Sequence, residues 1–167
     1  TTLRIFGIFG KFEDYRYKFI SNAIAKNLLQ MPITINQNVV YDYIYVSDFY
    51  EIVKHFVEND INQKSYNITP SISVDLLTIA NTINEVSNHK SDIIVLNKGI
   101  GIHYSGDNSR LLSDIKNIKF MSISDSILDL YKHYEHNISM IDKHEIEEDK
   151  FLSYAKKLKE EYFNEST

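Results

Sequence analysis

The sequence contains no cysteine, and only two prolines and five glycines among its 167 residues. Without cysteine it forms no disulfide, no thiolate metal site and no cysteine nucleophile. No run of about 18 apolar residues is present, so no membrane span is predicted. Residues 1–5 have neither the basic segment nor the apolar run of a signal peptide. We therefore expect a cytoplasmic protein with no membrane partner.

Basic residues are outnumbered by acidic ones, 18 to 23, which gives a net charge of −5. Because phosphate backbones are bound by clustered Lys and Arg, this balance weighs against a nucleic-acid partner. Hydrophobic residues make up 43% of the chain and charged residues 25%. These are ordinary values for a globular domain, and they exclude wholesale disorder.

Residues 3–10 (LRIFGIFG) form a nearly continuous apolar run without alternation. This pattern predicts a strand buried on both faces, as in a parallel sheet. Such a strand needs neighbours on both sides, and none precedes it in this sequence. We therefore expect partner strands that would come from an N-terminal region outside this sequence.

The remaining pattern predicts a mixed α/β order. Helices are predicted over residues 14–30, 48–58, 73–86, 109–115 and 124–136, and strands over 33–35, 43–46, 66–68 and 92–96. A capping box (Asp48 with Glu51) starts the second helix, Ser73 caps the third, and residues 36–38 form a turn. Residues 142–165 are predicted to be one charged helix that begins with a second capping box, Asp142 with Glu145.

No local motif predicts an active site. Tyr50 and Lys54 match the Tyr-x-x-x-Lys pair of dehydrogenases, but this spacing also occurs on any solvated helix face. The glycines at 99 and 101 predict a turn, because no Gly-x-Gly-x-x-Gly loop is present. The histidine and acidic groups at 133–136 and 144–148 lack the usual zinc spacing, so no metal site is predicted.

Three segments in order resemble the second half of the extended short-chain dehydrogenase/reductase family of nucleotide-sugar epimerases and dehydratases. Residues 3–10 are similar to its strand L-R-x-F-x-x-x-G. Residues 31–35 (MPITI) and 41–48 (YDYIYVSD) resemble P-I-x-I, a turn and R-D-F-x-Y-V-x-D. Residues 66–68 and 73–74 resemble its Y-N-(I/V) strand and S-(V/L) helix start, and His103-Tyr104 with Asp107 is a looser match.

The resemblance implies an α/β fold: the last strand or strands of a Rossmann-type sheet plus a small mixed α/β substrate-binding lobe over residues 1–140, followed by a charged helix over 141–167. The family's cofactor loop and catalytic Ser/Thr, Tyr and Lys lie upstream of its L-R-x-F strand. Tyr50 and Lys54 are therefore not the catalytic pair, and this chain alone should be inactive. NAD or NADP would be held mainly by an N-terminal half, and the full-length protein would be a homodimer.

Family positions carry over to seven residues. Ile5 matches a position beside the nicotinamide, and Gly7 stands where many members have an Asn that bonds the nucleotide sugar. Lys18 and Phe19 match the start of the helix that lines the diphosphate, and Asn36 lies where the strand turns beneath the base. Tyr41 and His103 replace two Arg, so bidentate phosphate recognition is lost. Either Lys18 and neutral donors hold the ligand, or its phosphates matter less; the alternative is that Tyr41 and His103 are ordinary surface residues of the lobe.

Two functions remain open. The first is the C-terminal substrate-binding part of an NAD(P)-dependent nucleotide-sugar epimerase, dehydratase or reductase, with about 130–170 further residues upstream that include a Gly-rich strand–helix turn. The second is a non-catalytic module that binds a sugar nucleotide or a protein without the cofactor half. The sequence leaves open which reaction, nucleotide and sugar are involved.

Overall fold

The computed structural model of the chain describes residues 1–60 and 63–156. It is a mixed α/β fold, as predicted, with parallel strand pairs and helices packed against them. The strands are β1 (Thr2–Ile5), β2 (Gly7–Phe9), β3 (Ile33–Tyr41), β4 (Tyr43–Tyr45), β5 (Ser65–Ile68), β6 (Val74–Asp75) and β7 (Ile93–Tyr104). The helices are α1 (Phe19–Leu28), α2 (Val46–Glu58), α3 (Leu76–Val86), α4 (Ser109–Asp114), α5 (Ile123–His136) and α6 (Lys143–Glu147), and residues 150–156 are also helical.

The predicted first strand is divided at Phe6 into β1 and β2. β1 pairs in parallel with β5, from Thr2 opposite Ser65 to Ile5 opposite Ile68. β2 pairs in parallel with β4. The parallel arrangement was predicted, but burial on both faces is wrong for the described residues: each strand has one partner, and Ile5 and Ile8 are 39% and 36% exposed.

The third sheet has the order β6-β3-β7, with β6 antiparallel and β7 parallel to β3. The predicted turn at residues 36–38 is wrong, since these residues continue β3. The predicted turn around Gly99 and Gly101 is also part of a strand, β7. Gly99 has φ +83° where the register with β3 shifts, so the glycine accommodates a bulge instead of ending the strand.

Helix starts differ from the predicted caps. α2 begins at Val46 with no side-chain cap, so the capping box is wrong; the Asp48 carboxylate instead accepts a hydrogen bond from the Met121 amide at 2.9 Å. α3 is capped by Asp75, not by Ser73. α1 is shorter than predicted, because residues 14–17 form turns before it.

The charged C-terminal segment is two helices in the described residues, not one. Asp142 caps α6 by accepting from the His144 and Glu145 amides. The helix is interrupted at Asp149, where φ is +48°, and resumes over residues 150–156. The remainder of the predicted helix lies outside the described residues.

Two apolar clusters form the core. The larger one lies between α1, α3, α5 and β3, and it includes Ile24, Ile35, Ile79 and Leu130. The smaller one lies under α2 and α4, where Ile52, Tyr66 and Leu111 are fully buried. Four members of the larger cluster also border a large cavity, described next: Phe9, Phe19, Ile20 and Leu76.

Candidate functional site

A cavity of about 980 Å³ lies between β2, β4, the β3–β7 pair, the start of α1 and residues 150–156. The larger part of its lining is aromatic or aliphatic. The volume is at the upper end of the range for small-molecule sites, which are concave and mostly apolar. We therefore treat this cavity as the candidate site.

Six of the seven residues predicted from the resemblance line this cavity: Ile5, Gly7, Lys18, Phe19, Asn36 and Tyr41. They come from β1, β2, the start of α1 and β3, so the tertiary structure brings together positions up to 36 residues apart in sequence. His103 does not line the cavity; it is exposed on β7 opposite Val40.

Gly7 lies where β2 closely approaches the end of β3. A Cβ atom at this position would be 2.9 Å from the Asp42 carbonyl oxygen and 3.2 Å from the Tyr43 ring. Side chains do not tolerate such an approach to backbone, so an Asn at Gly7 would displace β2 from β4. The missing Asn of the family pattern therefore reflects a local backbone contact.

The aromatic part of the site is a chain of ring contacts across four strands. The Tyr41 ring lies 5.6 Å from Tyr43 and 6.1 Å from Tyr104, and Phe9 lies 6.0 Å from Tyr43. Phe6 packs 5.0 Å from Tyr104. Burial raises the pKa of Tyr43, so its phenol remains neutral throughout the physiological range. These rings offer stacking surfaces but no charge.

Positive charge enters the site at the start of α1. Lys18 is the N-cap residue, exposed and lining the cavity, and its side chain makes no capping hydrogen bond. The first amides of a helix have no intrahelical acceptor and carry partial positive charge. The Lys18 ammonium group and the backbone amide of Phe19, the first residue of α1, therefore give this end of the cavity a positive potential.

Glu13 borders the same end and is the acidic residue in the cavity wall. Its Oε1 is buried and has no hydrogen-bond partner among the described residues. Burial raises the pKa of Glu13 to about 7, although interactions with Ser21 and Lys18 oppose that rise. The group thus changes charge near neutral pH, within a cavity wall.

The side chain of Asn36 is already engaged at the floor of the cavity. Its Nδ2 donates to the Ala155 carbonyl at 3.3 Å, and it accepts a hydrogen bond from Asn97 at 3.0 Å. Phe151 packs against Phe19 with ring centroids 5.5 Å apart. The helical segment 150–156 is therefore a wall of the site, contributing Phe151, Tyr154 and Ala155.

This wall is held to α1 by a buried ion pair. Lys26 Nζ lies 2.7 Å from Asp149 Oδ2, and the two side chains are 3% and 20% exposed. Asp149 also caps the helical segment 150–156, since its Oδ1 accepts a hydrogen bond from the Leu152 amide. Charge pairing and helix capping at one residue therefore fix the position of the wall.

The other polar residues of the matched segments hold loops together. Asp42 accepts hydrogen bonds from the Ser73 hydroxyl at 2.5 Å and from the Gly106 amide at 2.8 Å. Asn67 donates to the Asp107 carbonyl and accepts from Arg4. These contacts join β3, β5 and the segments that follow β5 and β7, behind the cavity.

The motifs with weaker signals lie elsewhere. Tyr50 is 63% exposed on α2, and Lys54 borders a separate cavity of about 400 Å³ of mixed charge. In residues 1–60 and 63–156, no cluster of three or more His, Asp or Glu side chains is arranged to hold a metal ion. Within those ranges, no helix has the length and apolar character needed to cross a bilayer.

Sequence analysis missed several residues of the cavity wall, chiefly Glu13, Tyr17, Tyr43, Phe151 and Tyr154. Tyr43 lies within a matched segment. The signal available for it was its position in β4, where successive side chains alternate between the two faces of the sheet. Glu13 precedes the predicted helix and has no periodic signal. Tyr17 was part of the helical periodicity, but it lies in a turn before α1. Phe151 and Tyr154 are brought to the site by the interruption at Asp149, which has no local signature.

Comparison with known proteins gives a family match and a fold. Residues 1–69 match the sequence profile of the NAD dependent epimerase/dehydratase family. No curated protein matches the chain significantly. The resemblance predicted from the three segments is therefore confirmed by the family profile.

Three solved structures illustrate the fold. UDP-glucuronic acid 4-epimerase from Bacillus cereus, in complex with UDP-glucuronic acid and NAD, superposes with a TM-score of 0.68 and 18% identity over 81% of this chain and 45% of that one. dTDP-glucose 4,6-dehydratase from Bacillus anthracis superposes with a TM-score of 0.71 and 15% identity, over 82% of this chain and 45% of that one. A GDP-L-fucose synthetase from Naegleria fowleri superposes with a TM-score of 0.73 and 11% identity, over 86% of this chain and 48% of that one.

These similarities establish that the fold is that of Rossmann-type extended short-chain dehydrogenases/reductases, as predicted. The chain spans about half the length of the enzymes that it matches, 45–48% in the three examples.

Proposed function

We propose that this chain is the C-terminal substrate-binding part of an NAD(P)-dependent nucleotide-sugar epimerase, dehydratase or reductase. The observation that carries the proposal is the cavity of about 980 Å³, which six of the seven residues assigned from the family pattern line. The family match over residues 1–69 and the shared fold support it.

The ligand would be a nucleotide sugar. The neighbouring, mutually tilted rings of Tyr41 and Tyr43 offer surfaces for a base or a sugar ring. Lys18 and the first amides of α1 offer the positive potential that a diphosphate needs. Because Tyr41 and His103 replace two Arg, phosphate recognition would depend on Lys18 and neutral donors.

The cofactor would be NAD or NADP, which supplies hydride transfer in this chemistry. Ile5, which the family pattern places beside the nicotinamide, lines the cavity and is partly exposed, so its side chain could pack against that ring. The sequence has no Gly-rich phosphate loop. The residues present therefore fit a peripheral contact only, and an N-terminal half of a longer protein would hold the cofactor.

In the longer protein, residues 1–140 would form the substrate-binding lobe together with the last strand or strands of the Rossmann-type sheet. The described part of the charged C-terminal segment, residues 141–156, would cover the lobe. Phe151, Tyr154 and Ala155 support this covering role, since all three border the cavity. The full-length protein would be a cytoplasmic homodimer.

Isothermal titration calorimetry of the purified chain with UDP-glucose, GDP-mannose and dTDP-glucose tests the proposal. We expect one of them to bind, and Lys18→Gln to weaken that binding about tenfold, equivalent to about 1.4 kcal/mol. Lys132→Gln is the matched control, because Lys132 is exposed on α5 away from the cavity. Absence of binding by all three ligands would contradict the proposal.

A non-catalytic nucleotide-sugar-binding module is the second candidate. It is favoured by one observation: the described residues include a large cavity, whereas the given sequence contains no Gly-rich cofactor loop. The gene sequence upstream of Thr1 separates the two candidates. About 130–170 further codons with a Gly-rich strand–helix turn are expected for the enzyme, and their absence would favour the module.

A further inference from the structure

Glu13 has a position in the cavity wall that the proposed function leaves unexplained. It lies between β2 and α1, five residues before Lys18, and both residues line the cavity at the same end. A diphosphate placed at Lys18 and the start of α1 would therefore have a carboxyl group as a neighbour. An ionised carboxylate there would repel the ligand.

No cation neutralises that carboxyl group by a salt bridge in the described residues. Its Oε1 is buried without any hydrogen-bond partner. Lys18 is the charged residue that interacts with it electrostatically. Lys18 is also the cation that the ligand would require. It therefore cannot fully neutralise both the Glu13 carboxylate and the diphosphate.

The other groups that interact with Glu13 are the Ser21 hydroxyl and the backbone amides of Ser21 and Gly10, which favour the ionised carboxylate, and three phenols. Tyr43 and Tyr45 of β4 and Tyr134 of α5 each interact electrostatically with it. Burial raises the pKa of all three, that of Tyr134 to about 12, so they stay neutral near pH 7. Among these neighbours, Glu13 is thus the group whose charge changes between pH 6 and pH 8.

We propose that Glu13 is a specificity-determining residue of the cavity, and that its carboxyl group must be neutral when the diphosphate of a nucleotide sugar binds beside Lys18. This inference rests on the proposed function. A protonated carboxyl donates one O–H hydrogen bond, whereas the ionised form only accepts. Binding therefore takes up one proton at Glu13, and the cavity disfavours doubly charged ligands as the pH rises.

The test is calorimetric titration at pH 6, 7, 8 and 8.5 with whichever of UDP-glucose, GDP-mannose and dTDP-glucose binds, and with its uncharged nucleoside. The diphosphate diester has a constant charge over this range. For the unmodified chain we expect affinity for the nucleotide sugar to fall above pH 7, by at most about tenfold per pH unit for one proton. Affinity for the nucleoside should stay constant.

Glu13→Gln keeps the size of the side chain and removes its charge. We expect this variant to bind the nucleotide sugar with an affinity that is independent of pH and about tenfold higher than that of the unmodified chain at pH 8 to 8.5. Glu85→Gln, an exposed position on α3, is the control and should keep the pH dependence. Parallel pH profiles for the unmodified chain and Glu13→Gln would overturn the role of Glu13 but not the proposed function.

Proton uptake by the unmodified chain provides a readout that needs no variant. Titrations at pH 7.5 in phosphate and in Tris, which differ in ionisation enthalpy, should give different apparent binding enthalpies, corresponding to uptake of about half a proton or more. Equal enthalpies in the two buffers would overturn the proposal. If none of the three nucleotide sugars binds at any pH, the proposed function falls together with this inference.

Discussion

At the scale of single residues, Glu13 is the group whose ionisation most directly opposes folding. Its pKa is about 7 in the folded chain, against an ordinary value of 4.5. Between these pH values the folded state retains a proton that the unfolded state has lost. The free energy of unfolding therefore falls as the pH rises from about 4.5 to about 7. Asp14, Asp75 and Asp129, whose pKa values are lowered, act only at more acidic pH.

We predict that Glu13→Gln removes this slope. Relative to the unmodified chain, the variant should gain up to about 3 kcal/mol of stability at pH 8 and little at pH 4.5, because one pKa unit corresponds to about 1.4 kcal/mol. Urea unfolding at pH 4.5, 6, 7 and 8 measures the difference. Glu85→Gln should follow the unmodified chain, and an equal pH slope in Glu13→Gln would contradict the prediction.

At the scale of elements, the interruption at Asp149 decides where residues 150–156 lie. The backbone there has φ +48°, and the side chain both caps the following helix and pairs with Lys26. Lys26 is the more buried partner, with 3% of its side chain exposed. Removing either charge leaves the other unpaired, and the cost is greater for the more buried one.

We predict that Asp149→Asn destabilises the chain by about 3 kcal/mol, because it isolates the buried Lys26 ammonium group while preserving the cap and the left-handed backbone. Lys26→Met should cost less, about 1–2 kcal/mol, since Asp149 is partly solvated. The double variant should recover most of the loss of Asp149→Asn. Urea unfolding at pH 7 measures all three, and a larger loss for Lys26→Met than for Asp149→Asn would contradict this account.

At the scale of the whole molecule, β1 and β2 leave an apolar strand edge open in the part of the chain that the structure describes. β5 and β4 each cover one side, and the other side has no strand partner. Ile5 and Ile8 of these strands are partly exposed, and both also border the cavity. Open edges with apolar side chains pair with other strands, so self-association of the chain through residues 1–30 is expected.

We predict that the purified chain forms dimers or larger species, and that Ile8→Lys shifts it toward the monomer because a charge on an edge strand opposes pairing. Light scattering coupled to size-exclusion chromatography measures the mass of each species. Val57→Lys is the control: Val57 is 80% exposed on α2, away from that edge. A monomeric unmodified chain would rule out edge-mediated association.

The sequence alone determined the class of fold and several of the positions that border the site. Continuous apolar runs at 3–10 and helical periodicity elsewhere predicted parallel strands and packed helices, since these signals depend on neighbours close in sequence. Ordered segments such as 41–48 predicted the family resemblance. From that resemblance came Ile5, Lys18, Asn36 and Tyr41, which converge on the cavity.

Only the tertiary structure decided how those positions are completed. Residues 36–38 continue β3 because β7 pairs alongside them, and Ser73 does not cap α3 because its hydroxyl bonds to Asp42. Glu13 acquires its raised pKa from burial between β2 and α1. Burial, strand pairing and the contact of Asp149 with Lys26 depend on residues far apart in sequence, and local pattern carries no information about such contacts.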